Sequence, residues 1–129
     1  MTSKAAIGWL LEEKNISGHK GEEAGSEMYA LKLPSGTEVS NWRVDSMFRN
    51  AFHPFGDVGR KFLIPYLDHE HAYVRVGAYA VLNHIIYSQA RINYNFQMPE
   101  VQRKKAVSDL QAWWAKNKER VKRVGPPDQ

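Results

Sequence analysis

The feature that most constrains the fold is an unbroken apolar stripe at helical spacing over residues 72–90. The stripe consists of Val74, Ala78, Val81, Leu82, Ile85 and Ile86. Residues three and four positions apart lie on one face of an α-helix, so this spacing indicates a helix with one apolar side. It is the most apolar such segment in the chain. The pattern therefore predicts a central helix that other elements must cover.

Helical spacing recurs in four further segments. The predicted helices cover about residues 3–14, 44–52, 57–67 and 99–121. Ser3 is the expected N-cap of the first of these helices, and Pro54 is expected to end the second. Pro99 suits the first position of the last helix. That last helix carries a predicted packing seam of Val107, Leu110, Trp114, Asn117 and Val121.

The composition changes between the first two predicted helices. Residues 15–27 are rich in Gly, Ser and Glu without periodicity, which predicts a mobile loop. Apolar residues then alternate around a Pro-Ser-Gly turn, which predicts a two-stranded hairpin over residues 28–40. Because an isolated hairpin is only marginally stable, it is expected to lie on the helices. Residues 1–124 are predicted to form one mainly α domain, and residues 125–129 a disordered tail.

One stretch carries a specific pattern: FLIPYLD at residues 62–68, a turn, and YVRVGAYAVL at residues 73–82. This resembles a HEAT-type repeat, in which a proline-containing helix closes on Asp and the next helix opens with Val-Arg. The matching residues are Pro65, Asp68, Val74, Arg75, Ala78 and Leu82. The resemblance, to a small bacterial-type member, implies a short HEAT-like antiparallel stack of about five helices. No second copy is recognisable about 40 residues away, and residues 44–52 are interpreted as part of a degenerate preceding repeat.

The residues of this motif also have direct physical roles. Pro65 removes one backbone hydrogen bond and is expected to bend its helix, while Asp68 is suited to capping the turn. Arg75 is long enough to reach that turn. Close helix approach is expected at the small residues Gly77, Ala78 and Ala80.

The sequence lacks the residues that several kinds of catalytic site require. The absence of cysteine excludes disulfides, thiolate zinc sites and cysteine nucleophiles, and no phosphate-binding glycine motif occurs. The turn at residues 68–71 combines imidazole and carboxylate groups, but its spacing is poor for metal binding even with His53 or His84 added. A solvated turn is predicted there, and His84 is expected to be half-buried. We therefore expect no enzyme, cofactor or metal, with a small metal-dependent enzyme as the weakest alternative.

The charge balance suggests one possible partner. The net charge is +4; residues 1–97 carry ten basic and ten acidic residues, whereas residues 98–129 carry eight and four. A solvated helix end explains this excess, because cations suit the negative end of a helix dipole. The alternative is binding of a nucleic-acid backbone. Its contacts would be Arg103, Lys104, Lys105, Lys116, Lys118, Arg120, Lys122 and Arg123.

Aromatic residues suggest the leading function. Arg91, Tyr94 and Phe96 lie among amides in a predicted loop over residues 88–98, a composition typical both of recognition surfaces and of loops that fold onto their own helices. Trp113 is predicted to point about 100° away from its seam neighbour Trp114. These four candidates, Arg91, Tyr94, Phe96 and Trp113, predict binding of another protein. The resemblance adds adaptor, regulator or immunity-type inhibitor as its expected role.

The sequence carries no recognisable membrane segment. The N-terminal apolar stretch over residues 5–11 is short and is followed by two glutamates, which is unlike a secretory signal. No apolar run approaches the roughly 18 residues that a membrane helix requires. A cytoplasmic location without membrane contact is therefore expected.

Overall fold

A computed structural model describes residues 2–17 and 29–118, and it confirms a mainly helical fold with one small hairpin. The helices and strands are α1 (Ser3–Leu10), α2 (Glu13–Ser17), β1 (Ala30–Lys32), β2 (Glu38–Ser40), α3 (Asn41–Phe52), α4 (Gly56–Arg60), α5 (Ala72–His84) and α6 (Glu100–Asn117). Short 3-10 segments cover His53–Phe55 and Lys61–Asp68, and a π-helical turn covers Ile85–Ala90. The predictions for residues 18–28 and 119–129 lie outside the described residues.

Helix α5 is the centre of the structure, as its stripe predicts. All six residues of that stripe are buried. Helix α3 packs on one side of α5, and the 3-10 segment Lys61–Asp68 packs on another. Helix α6 covers that segment and contacts the π-helical turn. The buried apolar side chains form one cluster, to which every described helix and strand except α4 contributes.

Helices α3 and α5 pack very closely against each other. Gly77 of α5 faces the ring of Phe48, which is itself buried on α3. A Cβ atom placed on Gly77 would lie only 2.3–2.5 Å from three atoms of that ring. This is the close helix approach expected at the small residues of α5, and it leaves no room for a side chain at position 77.

The segment before α5 departs from its predicted form. A helix was expected over residues 57–67, but the α-helix α4 ends at Arg60 and a 3-10 helix follows over Lys61–Asp68. Pro65 explains this, because it lacks an N–H donor and its ring would clash with the carbonyl of residue 61 in an α-helix. The tighter segment still buries Leu63, Ile64 and Leu67.

The N-terminal half matches its prediction with small corrections. Thr2 rather than Ser3 caps α1, because its hydroxyl accepts a hydrogen bond from the Ala5 N–H at 3.1 Å. Residues 15–17, predicted as loop, belong to α2, and Pro99 precedes α6 as its N-cap rather than beginning it. The hairpin pairs Leu31 with Val39, and both are buried, so it lies on the helical core as expected.

The Gly77 packing gives the first prediction. Gly77→Ala should lower the free energy of unfolding by about 1–3 kcal/mol, because the new methyl group overlaps the Phe48 ring. The measurement is urea denaturation followed by circular dichroism. Gly8→Ala is the matched control: a Cβ there meets no atom within 4 Å, so better helix propensity should add up to about 1 kcal/mol of stability. Equal effects at both positions would contradict the packing argument.

Candidate binding face

The loop over residues 91–98 is held down by its tyrosine. Tyr94 is 9% exposed, and its hydroxyl donates a hydrogen bond to the Leu67 carbonyl at 2.5 Å. Burial raises the pKa of Tyr94, so the hydroxyl stays protonated and keeps this bond. Tyr94 stays a predicted contact residue, but its hydroxyl is used inside the structure and holds the ring in place.

Arg75 binds both the same loop and the turn before α5. Its Nη1 donates to the carbonyls of His69 and Glu70 at 2.6 and 3.1 Å, which confirms that it reaches the turn beside it. Its Nε also donates to the Phe96 carbonyl at 2.9 Å. One guanidinium therefore joins the turn before α5 to the loop after it.

Asp68 joins this corner to α6. It was expected to cap the turn, but its two oxygens accept hydrogen bonds from Arg103 Nε and Lys104 Nζ, each at 2.9 Å. Burial of the carboxylate, which is 13% exposed, acts to raise its pKa, but the hydrogen bonds and charges of Lys104 and Arg103 outweigh it. The pKa of Asp68 is therefore held below its usual value. Arg103 also donates to the Met98 carbonyl at 2.9 Å.

These contacts engage much of the predicted basic surface. Arg103 and Lys104 bind Asp68, and Lys105 pairs with Asp109 one turn along α6. Lys116 and Lys118 are exposed. The remaining candidates, Arg120, Lys122 and Arg123, lie outside the described residues.

The histidines at the turn contact each other rather than forming a ligand set. The His69 Nδ1 accepts a hydrogen bond from the His71 N–H at 3.1 Å, and burial together with the charge of His71 lowers the pKa of His69. Over residues 2–17 and 29–118, no three His, Asp or Glu side chains are grouped as metal ligands. His84, expected to be half-buried, is exposed at the end of α5.

The two tryptophans of α6 share one environment. Trp114 was expected to be core and Trp113 to point away, but both are half-buried against the core cluster. Their rings meet edge to face, with centroids 6.2 Å apart. The half-buried state of Trp114 corrects the predicted seam. Among the described residues of that seam, Leu110 is the fully buried one. Trp113 lies away from the clefts described next.

A ridge of polar and aromatic side chains stands on the outer side of α5. Tyr79, Asn83 and Tyr87 are spaced four residues apart and so lie along one side of the helix and its π-helical extension. Tyr87 is 78% exposed, and Asn83 is also exposed. We call the surface formed by this ridge and the clefts beside it the α3–α5 face.

One cleft of this face is lined mainly by rings and is here called the aromatic cleft. Its volume is about 340 Å³. Its lining residues are Tyr29, Asn41, Asp45, Val76, Tyr79, Tyr94, Asn95 and Phe96. Phe96, a predicted contact residue, is thus placed in it, stacked on Tyr29 with centroids 5.8 Å apart.

A second cleft, here called the basic cleft, follows along the same two helices. It encloses about 320 Å³ and is lined by Arg49, Asn50, His53, Arg60, Ala80, Val81, Asn83 and His84. The first cleft joins the start of α3 to Val76, and the second joins its end to Asn83, so α3 and α5 run in the same direction. The ion pair of Asp45 with Arg49 stands between the two clefts.

Arg91 lies at the end of this face and has an unusual backbone conformation. It has φ 54° and ψ 50°, the left-handed region that residues with a side chain rarely adopt, and it directly follows the π-helical turn. Arg91 lines one cleft with Tyr79 and Tyr87, and another with Met98. Both π-helical turns and strained non-glycine residues occur frequently at functional sites.

Comparisons with models of protein families, with curated proteins and with solved structures found no match to this chain. Within the part of the chain that the structure describes, none of the helices combines the length and apolar character needed to cross a bilayer. Interpretation of the α3–α5 face therefore rests on its geometry.

Sequence reasoning placed Arg91 and Phe96 at this face but missed its centre. Tyr79, Asn83 and Tyr87 are not among the predicted contact residues. A signal was available, since these three residues recur every four positions on the side of α5 opposite its apolar stripe. The contribution of Asp45 and Arg49 depends on which helix lies beside α5, and no local pattern reveals that.

The buried carboxylate gives a second prediction. Asp68→Asn should lower the free energy of unfolding at pH 7 by about 1–3 kcal/mol, because the charged hydrogen bond from Arg103 is weakened. The folded pKa of Asp68 lies below its unfolded value of about 3.9, so this stabilisation is present above that pH and disappears as pH falls through the lower folded pKa.

Urea denaturation at neutral and strongly acidic pH provides the measurement. The difference between wild type and Asp68→Asn should shrink in acid. Asp109→Asn, which removes an exposed ion pair on α6, should change stability by no more than about 0.5 kcal/mol. A penalty for Asp68→Asn that persists at acidic pH would show that charge is not its cause.

Proposed function

We propose that this chain is a non-catalytic binding module that recognises another protein through the α3–α5 face. The observation that carries the proposal is the placement of exposed Tyr87, which lines one cleft with Asn83 and another with Arg91, the left-handed residue that ends the π-helical turn. Tyrosine and arginine dominate the energetics of protein interfaces, since each combines a large contact area with polar groups.

The rigidity of the face supports this proposal. Loop 91–98 is fixed by Tyr94 and Arg75, and its Phe96 ring stacks on Tyr29. A surface that is ordered before binding loses less conformational entropy when it binds. The clefts are therefore suited to a partner of fixed shape, as an adaptor, regulator or immunity-type inhibitor requires.

The arrangement of α3 and α5 supports the HEAT-type interpretation. The two helices run in the same direction in close contact, as the second helices of consecutive repeats do when repeats stack. Stacked helical repeats present extended concave surfaces to their partners. On this interpretation α3 belongs to a degenerate first repeat, and the α3–α5 face is the shared surface of both repeats.

The nucleic-acid alternative has less support from the described residues. Arg103, Lys104 and Lys105 are bound to carboxylates, which reduces the charge they can offer to phosphate. The α3–α5 face also carries both signs of charge, through Asp45 and Arg49. Mixed charge suits a protein surface better than a uniformly negative backbone.

Truncation of the ridge gives the third prediction. A partner recovered by affinity capture from the native host should lose about 2 kcal/mol of binding to Tyr87→Ala, or about 30-fold in Kd, because an exposed anchor ring is removed. Isothermal titration calorimetry measures this loss, and thermal unfolding should be unchanged. Val101→Ala, which truncates an equally exposed apolar residue on α6, is the control and should leave Kd unchanged.

The same experiment distinguishes the alternative. If the partner binds Tyr87→Ala as tightly as wild type, the α3–α5 face is not the binding surface. Binding of a DNA duplex that weakens steeply with salt, with a smaller salt slope in Lys118→Glu, would favour the nucleic-acid function instead.

The backbone of Arg91 gives a fourth prediction. Arg91→Gly should raise the free energy of unfolding by about 1 kcal/mol, because glycine adopts the left-handed conformation without strain. The same change should weaken partner binding, since it removes the side chain that lines two clefts. Measuring both quantities on one variant separates function from folding. A stabilised variant with full affinity would exclude Arg91 from the interface.

A further inference from the structure

We propose that the aromatic cleft binds a cationic side chain, a lysine or an arginine, that the protein partner presents. This inference rests on the proposed function, because it names the chemical group that the α3–α5 face receives. The argument uses the rings of the cleft, its charge and its size.

Four aromatic rings line the cleft in two stacked pairs. Tyr29 and Phe96 are nearly parallel, with an interplanar angle of 3° and centroids 5.8 Å apart. Tyr79 and Tyr94 have centroids 5.5 Å apart and an angle of 24°. Aromatic faces carry partial negative charge, so a site lined by several rings attracts a cation.

The rings are held in place before any ligand arrives. The Tyr94 hydroxyl is bound to Leu67, and the backbone beside the Phe96 ring is bound by Arg75. The Tyr29 N–H donates to the Asn41 Oδ1 at 2.8 Å, and the Asn41 N–H returns a bond to the Tyr29 carbonyl at 2.9 Å. The site therefore needs little rearrangement to accept a side chain.

The charge of the cleft has the sign that a cation requires. Among the described residues that line it, Asp45 alone carries a formal charge. Its Oδ1 accepts a hydrogen bond from Arg49, whose side chain belongs to the neighbouring basic cleft. A carboxylate offers about four lone-pair positions, so Asp45 can accept a second donor from a ligand.

Two described cations, Arg75 and Arg103, oppose this assignment, because the charges of both act on the Tyr94 ring of the cleft. Arg103 is paired with Asp68, and Arg75 lies behind the loop. Arg75 donates to three carbonyl groups, and the negative charge of Asp68 acts on it. The Arg75 charge is therefore partly compensated by groups of the protein itself.

The size of the cleft suits one side chain. Its volume of about 340 Å³ is at the lower end of the range for ligand pockets, about 300–1,000 Å³. A long side chain can place its methylene groups against the rings and its charged end near Asp45. An uncharged side chain would gain only the first of these contacts, and an anion would meet Asp45 unfavourably.

The test uses the full-length ¹⁵N-labelled chain and four short peptides that differ at one central residue. One peptide has arginine at this position and one has lysine. The other two have the uncharged counterparts, citrulline and acetyl-lysine. The charged peptides should shift the amide signals of residues that line the aromatic cleft, and the uncharged ones should bind at least about fivefold more weakly. Equal binding of charged and uncharged peptides, or no shifts at the cleft, would overturn the proposal.

Two variants of one ion pair sharpen this test. Asp45→Asn should weaken binding of the arginine peptide about fivefold, whereas Arg49→Gln should strengthen it, because a competing cation is removed. Both changes break the same pair, so a mere loss of stability would move both affinities in the same direction. Tyr29→Leu should weaken the charged peptides and leave the uncharged ones unchanged. Affinities that do not follow this order contradict the cation site.

The intact partner separates this inference from the proposed function. If Tyr87→Ala abolishes partner binding and Asp45→Asn leaves it unchanged, the protein interface stands and the cation site is wrong. If the charged peptides bind in the cleft but no substitution at the α3–α5 face changes the Kd of the partner, the proposed function is wrong.

Discussion

The contact between Gly77 and the Phe48 ring sets the distance between α3 and α5, and the rest of the structure depends on it. With the two helices this close, their apolar sides seal the core, and their outer edges come near enough to share clefts. A larger residue at position 77 would separate the helices. Asp45 and Arg49 on α3 would then lie farther from Tyr79 and Asn83 on α5. The packing of the core and the shape of the clefts thus both depend on the absence of a side chain at position 77.

A second set of interactions fixes the corner at residues 68–71. Arg75 binds the carbonyls of this corner and of Phe96, while Asp68 binds two cations of α6. Because Asp68 and Arg103 are largely buried, the hydrogen bond between them is worth more than that of an exposed ion pair. The loop after α5 and the last described helix are consequently fixed to one point. This explains how a loop rich in amides is held in one conformation.

The sequence predicts the local elements well and their mutual contacts poorly. The stripe of α5, the apolar side of α3 and the hairpin within residues 28–40 follow from periodicity and turn residues, which depend only on neighbouring residues. The burial of Tyr94 depends on Leu67, 27 residues away, and no spacing rule reveals that partner. Likewise, Pro65 indicates a disturbed helix, but the choice of a 3-10 segment over a bent α-helix depends on tertiary packing.

The aromatic and basic clefts form one groove along α3 and α5, and its two ends differ in charge. Asp45 lies in the first cleft, and its ion-pair partner Arg49 lies in the second. The end that begins at Asn41 combines rings with a carboxylate, and the end near His53 combines guanidinium and imidazole groups. A peptide lying along this groove would meet matching charges in one orientation and like charges when reversed. Two residues one helical turn apart therefore give the groove a negative end and a positive end. A peptide with an ordered pair of charges would fit this groove in one direction and not in the reverse direction.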